Sequence, residues 1–337
     1  LFLQEEGASP VSAGRSAVVI ERNRLAAQRM GRVLSASMDL GEVHVGERPS
    51  DVRPLLSDRT ALAALEATDL DAALGWVRGP FPQLKLLAWS QGSLEGALQV
   101  ARHEPMLQSV VGWPAHQSLP RAWELALSAR RSLGDTGKGP RLPDLLCWGA
   151  SVIKWSPRTG AERDDTVAEV ERHATSAGAG SRMAERVGLL THELLMNALY
   201  DAPVDEAGRP LFAQDRKADV SLPERMAPTL RLGFDGLVAG LEITDPFGRL
   251  ERRHVLDSIL RGLAGAREGG GELLDTSHGG AGLGLFRVYE ASTVVIVDVR
   301  PREYTRVMAL VDLDANPRAA RGQHASLHLF FPAGGRP

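Results

Sequence analysis

Cysteine, lysine and long apolar runs are what this chain lacks. Its 337 residues include one cysteine, Cys147, which excludes an internal disulfide and any metal centre built on cysteine ligands. A lone thiol suits a reducing compartment, so a cytoplasmic location is the expectation. Only four of the 39 basic residues are lysine (Lys85, Lys138, Lys154 and Lys217). The arginines are spread along the chain and the net charge is -3. Nothing in that balance argues for nucleic acid or an anionic membrane as partner. No apolar run approaches the ~18 residues that a membrane-spanning helix needs. The opening LFLQEEGASPVSAG has neither a basic n-region nor a long h-region, so it is not read as a signal peptide. Residues 1–14 read instead as a disordered leader. A G-x-x-x-x-G-K-[ST] segment is also missing, which excludes a P-loop.

What is present is the composition of a folded globular protein, 43% hydrophobic and 24% charged, in a chain long enough for two cores. In the first half, apolar strand-like runs alternate with helical patterns. AVVIE (17–21), EVHVG (42–46), AALGWV (72–77), KLLAW (85–89) and SVVGW (109–113) read as strands. RLAAQRMGRVLSASM, a segment around 60–67, GSLEGALQVARHE and SLPRAWELALSARR read as helices. That alternation predicts a doubly wound, flavodoxin-like parallel sheet over residues 15–133. The Gly- and Pro-rich GDTGKGPRLP then marks a joint, and 134–160 reads as a linker.

The remaining 161–333 begins with two helices, DDTVAEVERHATSA and SRMAERVGLLTHELLMNALYD. A hairpin follows, TLRLGF and LVAGLEITD across Asp235-Gly236, whose dipeptide suits the positive φ of a tight turn. A helix over 251–264, a glycine-rich stretch, the helix LGLFRVYEAS and three further strands complete an α+β layer. No internal repeat is visible.

Three short motifs in this half carry chemistry. In HELLMNALYDAP (192–203), Glu193 and Asn197 are four residues apart and share a helix face, while Met183, Val187, Leu190, Leu194 and Ala198 mark the core face. Taken alone, the pair reads rather as the polar edge of a buried helix with a hydrogen-bonded Asn. In EITDPFGRL (242–250) a strand ends in Asp245 before a Pro-Phe-Gly turn. Such an acid either caps the turn or accepts a hydrogen bond from an exocyclic amine. In GGAGLGLF (279–286), Gly280, Gly282 and Gly284 precede a helix, where backbone N–H groups can approach phosphate oxygens. No strand precedes these glycines, so the dinucleotide-binding pattern is not met.

In this order and spacing the three resemble the N, G1 and G2 boxes of the GHKL superfamily, the ATP-binding fold of histidine kinases, anti-sigma serine kinases, gyrase and Hsp90. E-x-x-x-N-A matches at Glu193 to Ala198, and G-x-G-L-G-L at 280–285. The G1 box departs: Asp245 and Gly248 are kept, but Phe247 and Arg249 stand where glycines are usual. The resemblance implies a two-layer α/β sandwich of the histidine-kinase-like ATPase type over roughly 160–331, with ATP and Mg²⁺ as cofactors. It further implies Asn197 as the Mg²⁺ ligand, Glu193 as catalytic base and Asp245 as the adenine-reading acid. Gly248, Gly280, Gly282, Leu283 and Gly284 would hold the nucleotide, and 265–279 would be a mobile lid. Tyr200 stands where kinases of this family often have a basic residue.

The first half resembles a response-regulator receiver without its chemistry. Glu21 is followed by Arg22 where an acidic pair is usual, DAALGWVRGP puts Trp76 at the phosphoacceptor, and Trp113-Pro114 replaces Lys-Pro; Ser90 fits. A tryptophan cannot accept a phosphoryl group, so the resemblance implies a pseudo-receiver; a generic flavodoxin-like domain is the alternative. No histidine lies in a recognisable phosphoacceptor motif, His173 and His192 included. The expectation is a bacterial signalling protein of the two-component type, joining a pseudo-receiver to an ATP/Mg²⁺-binding domain. A protein partner is expected, and homodimerisation stays open. An active serine or histidine kinase, or a scaffold without nucleotide, remain alternatives.

Overall fold

The structure, a computed structural model, describes residues 14–37, 42–113, 117–132, 139–213, 215, 218–267, 282–313 and 325–332. The chain divides into two compact units, Leu1–Gly139 and Pro140–Pro337, each α/β. All of the expected leader except Gly14 lies outside the described residues, as do Pro114 and Gly280.

The first unit runs β1 (Ser16–Ile20), α1 (Arg24–Ser37), β2 (Glu42–Gly46), α2 (Pro49–Val52), β3 (Thr60–Glu66), α3 (Leu70–Val77), β4 (Lys85–Ser90), α4 (Glu95–His103), β5 (Leu107–Gly112) and α5 (Ala122–Ser132). Its five strands are parallel in the order β2-β1-β3-β4-β5. The order reverses between β1 and β3, and at such a point the loops leaving the strand ends part to form a crevice. Ala17, Val19, Leu62, Ala64 and Leu87 from the strands pack against Ala27, Met30 and Leu34 of α1.

Two elements exchange type relative to the sequence reading. Thr60–Glu66, expected as helix, is β3, and 72–77, expected as strand, lies in α3. TALAALE is rich in Ala and Leu, which favour helix, but a strand inside a parallel sheet is covered on both faces and shows no alternation. Leu62 to Leu65 are all fully buried between β1 and β4. In α3, Leu70, Ala73, Leu74 and Val77 are buried while Asp71, Ala72 and Gly75 are exposed. That is 3.6-residue spacing, compressed into a run too short for periodicity alone to separate helix from strand.

The second unit contains a 3₁₀ turn (Leu142–Leu145), β6 (Ser151–Trp155), α6 (Gly160–Ser176), α7 (Ser181–Met196), β7 (Thr229–Phe234), β8 (Val238–Asp245), α8 (Arg252–Arg267), α9 (Gly284–Glu290), β9 (Val294–Arg300), β10 (Tyr304–Asp312) and β11 (Ser326–Phe330). Its sheet has the order β11-β9-β10-β8-β7-β6, antiparallel except for the parallel β11–β9 pair. The 134–160 linker reading is corrected in part, because β6 within it pairs with β7 as a sheet edge. Of the expected lid, 265–279, residues 265–267 belong to the end of α8 and the rest lies outside the described residues.

One sheet face carries α7, and Leu241 and Ile243 of β8 are buried there. Residues 140–146 are held against β7 and β8 elsewhere. Side chains at Gly240 and Gly233 would strike Leu142 and Leu146, so these glycines make the groove those leucines occupy. Glu242, fully buried, accepts hydrogen bonds from Leu142 N at 2.7 Å, Arg141 Nε at 3.0 Å and the Arg231 guanidinium at 2.6 Å.

Candidate functional site

The second unit brings the three sequence motifs to one cavity of about 380 Å³. Leu194, Asn197 and Ala198 line it from the end of α7, Ile243 and Asp245 from β8, Arg249 to Glu251 from the following turn, and Gly282, Gly284 and Leu285 from the start of α9. Volumes of several hundred Å³ with a mostly apolar lining and few polar groups are typical of small-molecule sites.

The α7 wall is not a plain helix end. From Asn197 to Asp201 the helix widens into a π-type turn, with the Ala202 N–H donating to Asn197 O at 2.9 Å, five residues back. Such turns recur at functional sites because they redirect side chains that a regular helix would stack. Here Asn197 and Asp201 both line the cavity. Among the described residues the buried Asn197 Nδ2 has no hydrogen-bond partner, although its Oδ1 and Nδ2 both face Gly284. A buried amide without an acceptor is a cost that a ligand oxygen or a water would remove. Tyr200 turns away and is buried, its ring 5.8 Å from the Arg163 guanidinium of α6.

Asp245 ends β8 with 6% exposure. Phe247 N donates to its Oδ1 at 2.9 Å, and the Gly248 N–H and the Thr305 hydroxyl and N–H add further bonds. Burial outweighs these donors and pushes its carboxyl up to about 6. Among the described residues no cation pairs with it. The turn that supplies the donors depends on Gly248, whose φ is +62° and whose Cβ position would overlap Arg300 O. Any side chain there would collide with backbone in a left-handed conformation that L-residues avoid. Gly248 is therefore a structural support for Asp245 and does not line the cavity.

The start of α9 is positioned by close packing. Gly262 of α8 leaves room for Phe286, and Phe286 N donates to Ser258 Oγ at 3.2 Å. Gly282 has φ +107° and its Cβ position lies 2.9 Å from the exposed Arg261 guanidinium. Leu283 is the N-cap of α9. A Cβ on Gly284 would sit 2.9 Å from Glu193 Oε2 and 3.6 Å from Asn197 Oδ1, so α7 and α9 approach this closely only with glycine at 284.

Glu193 occupies a different place from the one expected of it. It is buried behind Gly284, does not line the cavity, and accepts a hydrogen bond from the Arg287 guanidinium at 2.7 Å. Arg287 is a residue that sequence reading missed; no local pattern ties it to a partner 94 positions away. No group of three or more metal-ligating side chains occurs among the described residues.

In the first unit, a cavity of about 420 Å³ opens at the ends of β1, β3, β4 and β5. Glu21, Arg22, Glu66, Trp89 and Trp113 line it. The exchange of β3 and α3 takes the expected acceptor residue off the strands: Trp76 is buried on α3, away from the strand ends, and Glu66 closes β3. Arg22 reaches Glu66 at 2.6 Å and both oxygens of Asp69 at 3.0 and 3.1 Å. Glu21 accepts from Trp89 Nε1 at 3.2 Å. Trp113 stands edge-on to Trp89 with ring centroids 6.4 Å apart, its Nε1 donating to Gln117 O at 2.8 Å. An acid after an apolar run, ALAALE, was the available signal for Glu66.

No protein-family model matches the chain, and no curated protein does. Among solved structures, a chain from the crystal structure of the SiaB-SiaC complex from Pseudomonas aeruginosa is similar at 14% identity. The match covers 48% of this chain and 88% of that one, with a TM-score of 0.31. No helix among the described residues is long and apolar enough to cross a membrane.

Proposed function

We infer that the second unit binds ATP with Mg²⁺ as a GHKL-type domain, and that the first is a flavodoxin-like pseudo-receiver serving a protein partner in bacterial signalling. The observation that carries the nucleotide reading is the convergence of Asn197, Asp245 and Gly284, drawn from three separate segments, on one cavity. Its apolar walls suit a purine, and Asp245 is a buried acceptor with no cation of its own among the described residues, as recognition of an exocyclic amine requires. The donor set also fits the metal. Mg²⁺ binds through few protein oxygens and otherwise through phosphates and water, and Asn197 Oδ1 is the neutral oxygen in place to serve it. The metal would neutralise phosphate charge; Asn197 and the glycine segment would position that charge, and Asp245 the base.

Titration calorimetry with AMP-PNP tests this. One mole of analogue should bind per chain in the presence of Mg²⁺, and Asn197→Ala should lose the Mg²⁺-dependent part of the affinity. Absence of any heat, with the protein folded, would return the second unit to the scaffold reading. Whether bound ATP is also turned over depends on Glu193, which the Arg287 contact engages. A nucleotide-gated adaptor is therefore favoured over an active kinase.

For the first unit the strand order 2-1-3-4-5 supports the flavodoxin-like reading. Its acceptor position holds Glu66 in an ion pair with Arg22, and Trp113 follows β5 where the receiver family has a cation. Beryllofluoride or acetyl phosphate with Mg²⁺ should leave this unit's NMR spectrum and mass unchanged. A phosphoryl adduct on Glu66, or shifts confined to residues 21–23 and 66–69, would mean a working acceptor.

A further inference from the structure

The cavity of the second unit has a floor and a mouth of different chemistry. Ile243 and Asp245 of β8 stand opposite Val307 and Thr305 of β10 in register, and all four line the cavity. Residues two apart on a strand share a face, so the apolar pair and the acid with its threonine make one patch of sheet. All four are buried. Arg249, Glu251 and His254 line the same cavity but are exposed, which puts them at its mouth.

Of the two basic side chains there, His254 has Glu251 at 3.8 Å. Arg249 makes no hydrogen bond or ion pair among the described residues. Its backbone is nevertheless fixed. Gly248, at φ +62°, packs against the backbone of Arg300, and the Phe247 and Gly248 N–H groups fold the turn back onto Asp245. Arg249 therefore leaves the chain beside the acid, with its guanidinium free to move over the mouth. Asn197 and Gly284 belong to a different wall, the one made by α7 and α9.

A planar base whose amine meets Asp245 has two faces to cover. The Ile243–Val307 patch offers apolar surface from the floor, and the face turned to the mouth meets exposed side chains. We propose that Arg249 lays its guanidinium over that outer face, so that an adenine is held at its edge by Asp245 and across its ring by Arg249. A guanidinium is planar, weakly hydrated and attracted to the π face of an aromatic ring, so it stacks where an ammonium stays in water. Binding a phosphate is the other use of a free arginine, and the layout of the site opposes it. With the amine on Asp245, the phosphates run toward Asn197 and the α9 glycines, away from the 246–249 turn. The inference rests on the ATP reading and names a specificity determinant of that site.

The test is calorimetry of the full chain with AMP-PNP and Mg²⁺, and with adenosine, which has the base and no phosphate. Arg249→Ala should weaken both ligands by the same factor, about fivefold, the scale of one cation–π contact at a partly exposed site. Because Arg249 is exposed and makes no bond among the described residues, the variant should melt within about 1 °C of wild type. Arg249→Lys keeps the charge and loses the plane, and should recover less than half of the adenosine loss. A loss confined to AMP-PNP, or full recovery by lysine, would make Arg249 a phosphate contact. Unchanged affinities, or tighter ones from a cleared mouth, would remove it from recognition. AMP-PNP binding with no adenosine binding at millimolar concentration would show that the base is not gripped at two points. Each of these results overturns the proposal with the ATP site intact. If wild-type protein binds neither ligand, the ATP reading falls and this proposal with it.

Discussion

Asp245→Asn should make the protein more stable at neutral pH and at the same time remove the proposed nucleotide binding. The stability gain follows from burial. The carboxyl titrates near 6 in the folded chain against an ordinary 3.8, so the folded state holds this proton more tightly than the unfolded chain does. Stability from this group is then greatest below about pH 4, falls as pH rises from about 4 to 6, and stays low above that. A shift of this size corresponds to about 3 kcal/mol, an upper bound on what neutralising the side chain can recover. An amide keeps the acceptor for Phe247 N but not the full set of bonds that the carboxylate makes, so a gain of about 1–2 kcal/mol is expected. Melting curves should show the variant above wild type at pH 7 and level with it near pH 4.

The loss of binding comes from the same geometry. The Phe247 and Gly248 N–H groups fix an acceptor oxygen on their side of the turn. An asparagine must therefore present its NH₂ to the cavity, where an exocyclic amine would meet donor against donor. Affinity should fall about a hundredfold or more, the cost of a lost charge-assisted bond plus an unpaired donor. Wild-type affinity should itself decline as pH is lowered through 6, and the variant should lack that dependence. A variant that is less stable at pH 7, or that binds as well as wild type, would end the assignment of Asp245 as a functional acid.

That a buried acid is tolerated here at all explains why the site was legible in the sequence. Asp245, Asn197 and Gly284 are residues that the core would not choose. Polar groups at such positions stand out against the apolar periodicity of α7 and β8. The hairpin was legible for a local reason: Gly236 takes φ +88°, and Asp235 Oδ1 accepts from Leu237 N and Val238 N. The β3/α3 exchange was not legible, because burial on both faces erases the alternation that marks a strand. Its consequence was that Trp76, expected at a strand end, lies on a helix, and Glu66 stands at the end of β3. Pairings across long separations, Arg22 with Glu66 and Arg287 with Glu193, leave no local pattern. The π-type turn at Asn197 was equally hidden, since its residues continue the helical spacing of α7.

Glu242 is the other residue of β8 whose removal should have a large effect, and it should act on stability with little effect on nucleotide affinity. It lies three residues before Asp245 on the opposite face of the strand. Fully buried, it is bonded by Arg141, Leu142 N and Arg231, with Arg306 Nε at 4.0 Å. Arg306 in turn donates to Pro140 O at 3.0 Å and stands 4.7 Å from the Tyr304 ring, so the network ties residues 140–142 to three strands. Its net worth is modest, because gathering these charges out of water is expensive. Breaking it is another matter: Glu242→Ala leaves cations buried without their carboxylate, at a cost of about 3–5 kcal/mol. For a unit of this size that lowers the melting temperature by roughly 10 °C. Glu242→Gln, which keeps an acceptor but not the charge, should fall between the two. Residues 141–149 should become susceptible to protease in Glu242→Ala, while AMP-PNP affinity at 10 °C stays within about threefold of wild type, since Asp245 and Asn197 are untouched. A melting temperature within about 2 °C of wild type would show that the arginines find other partners, and an affinity loss matching that of Asp245→Asn would show that the two faces of β8 are coupled.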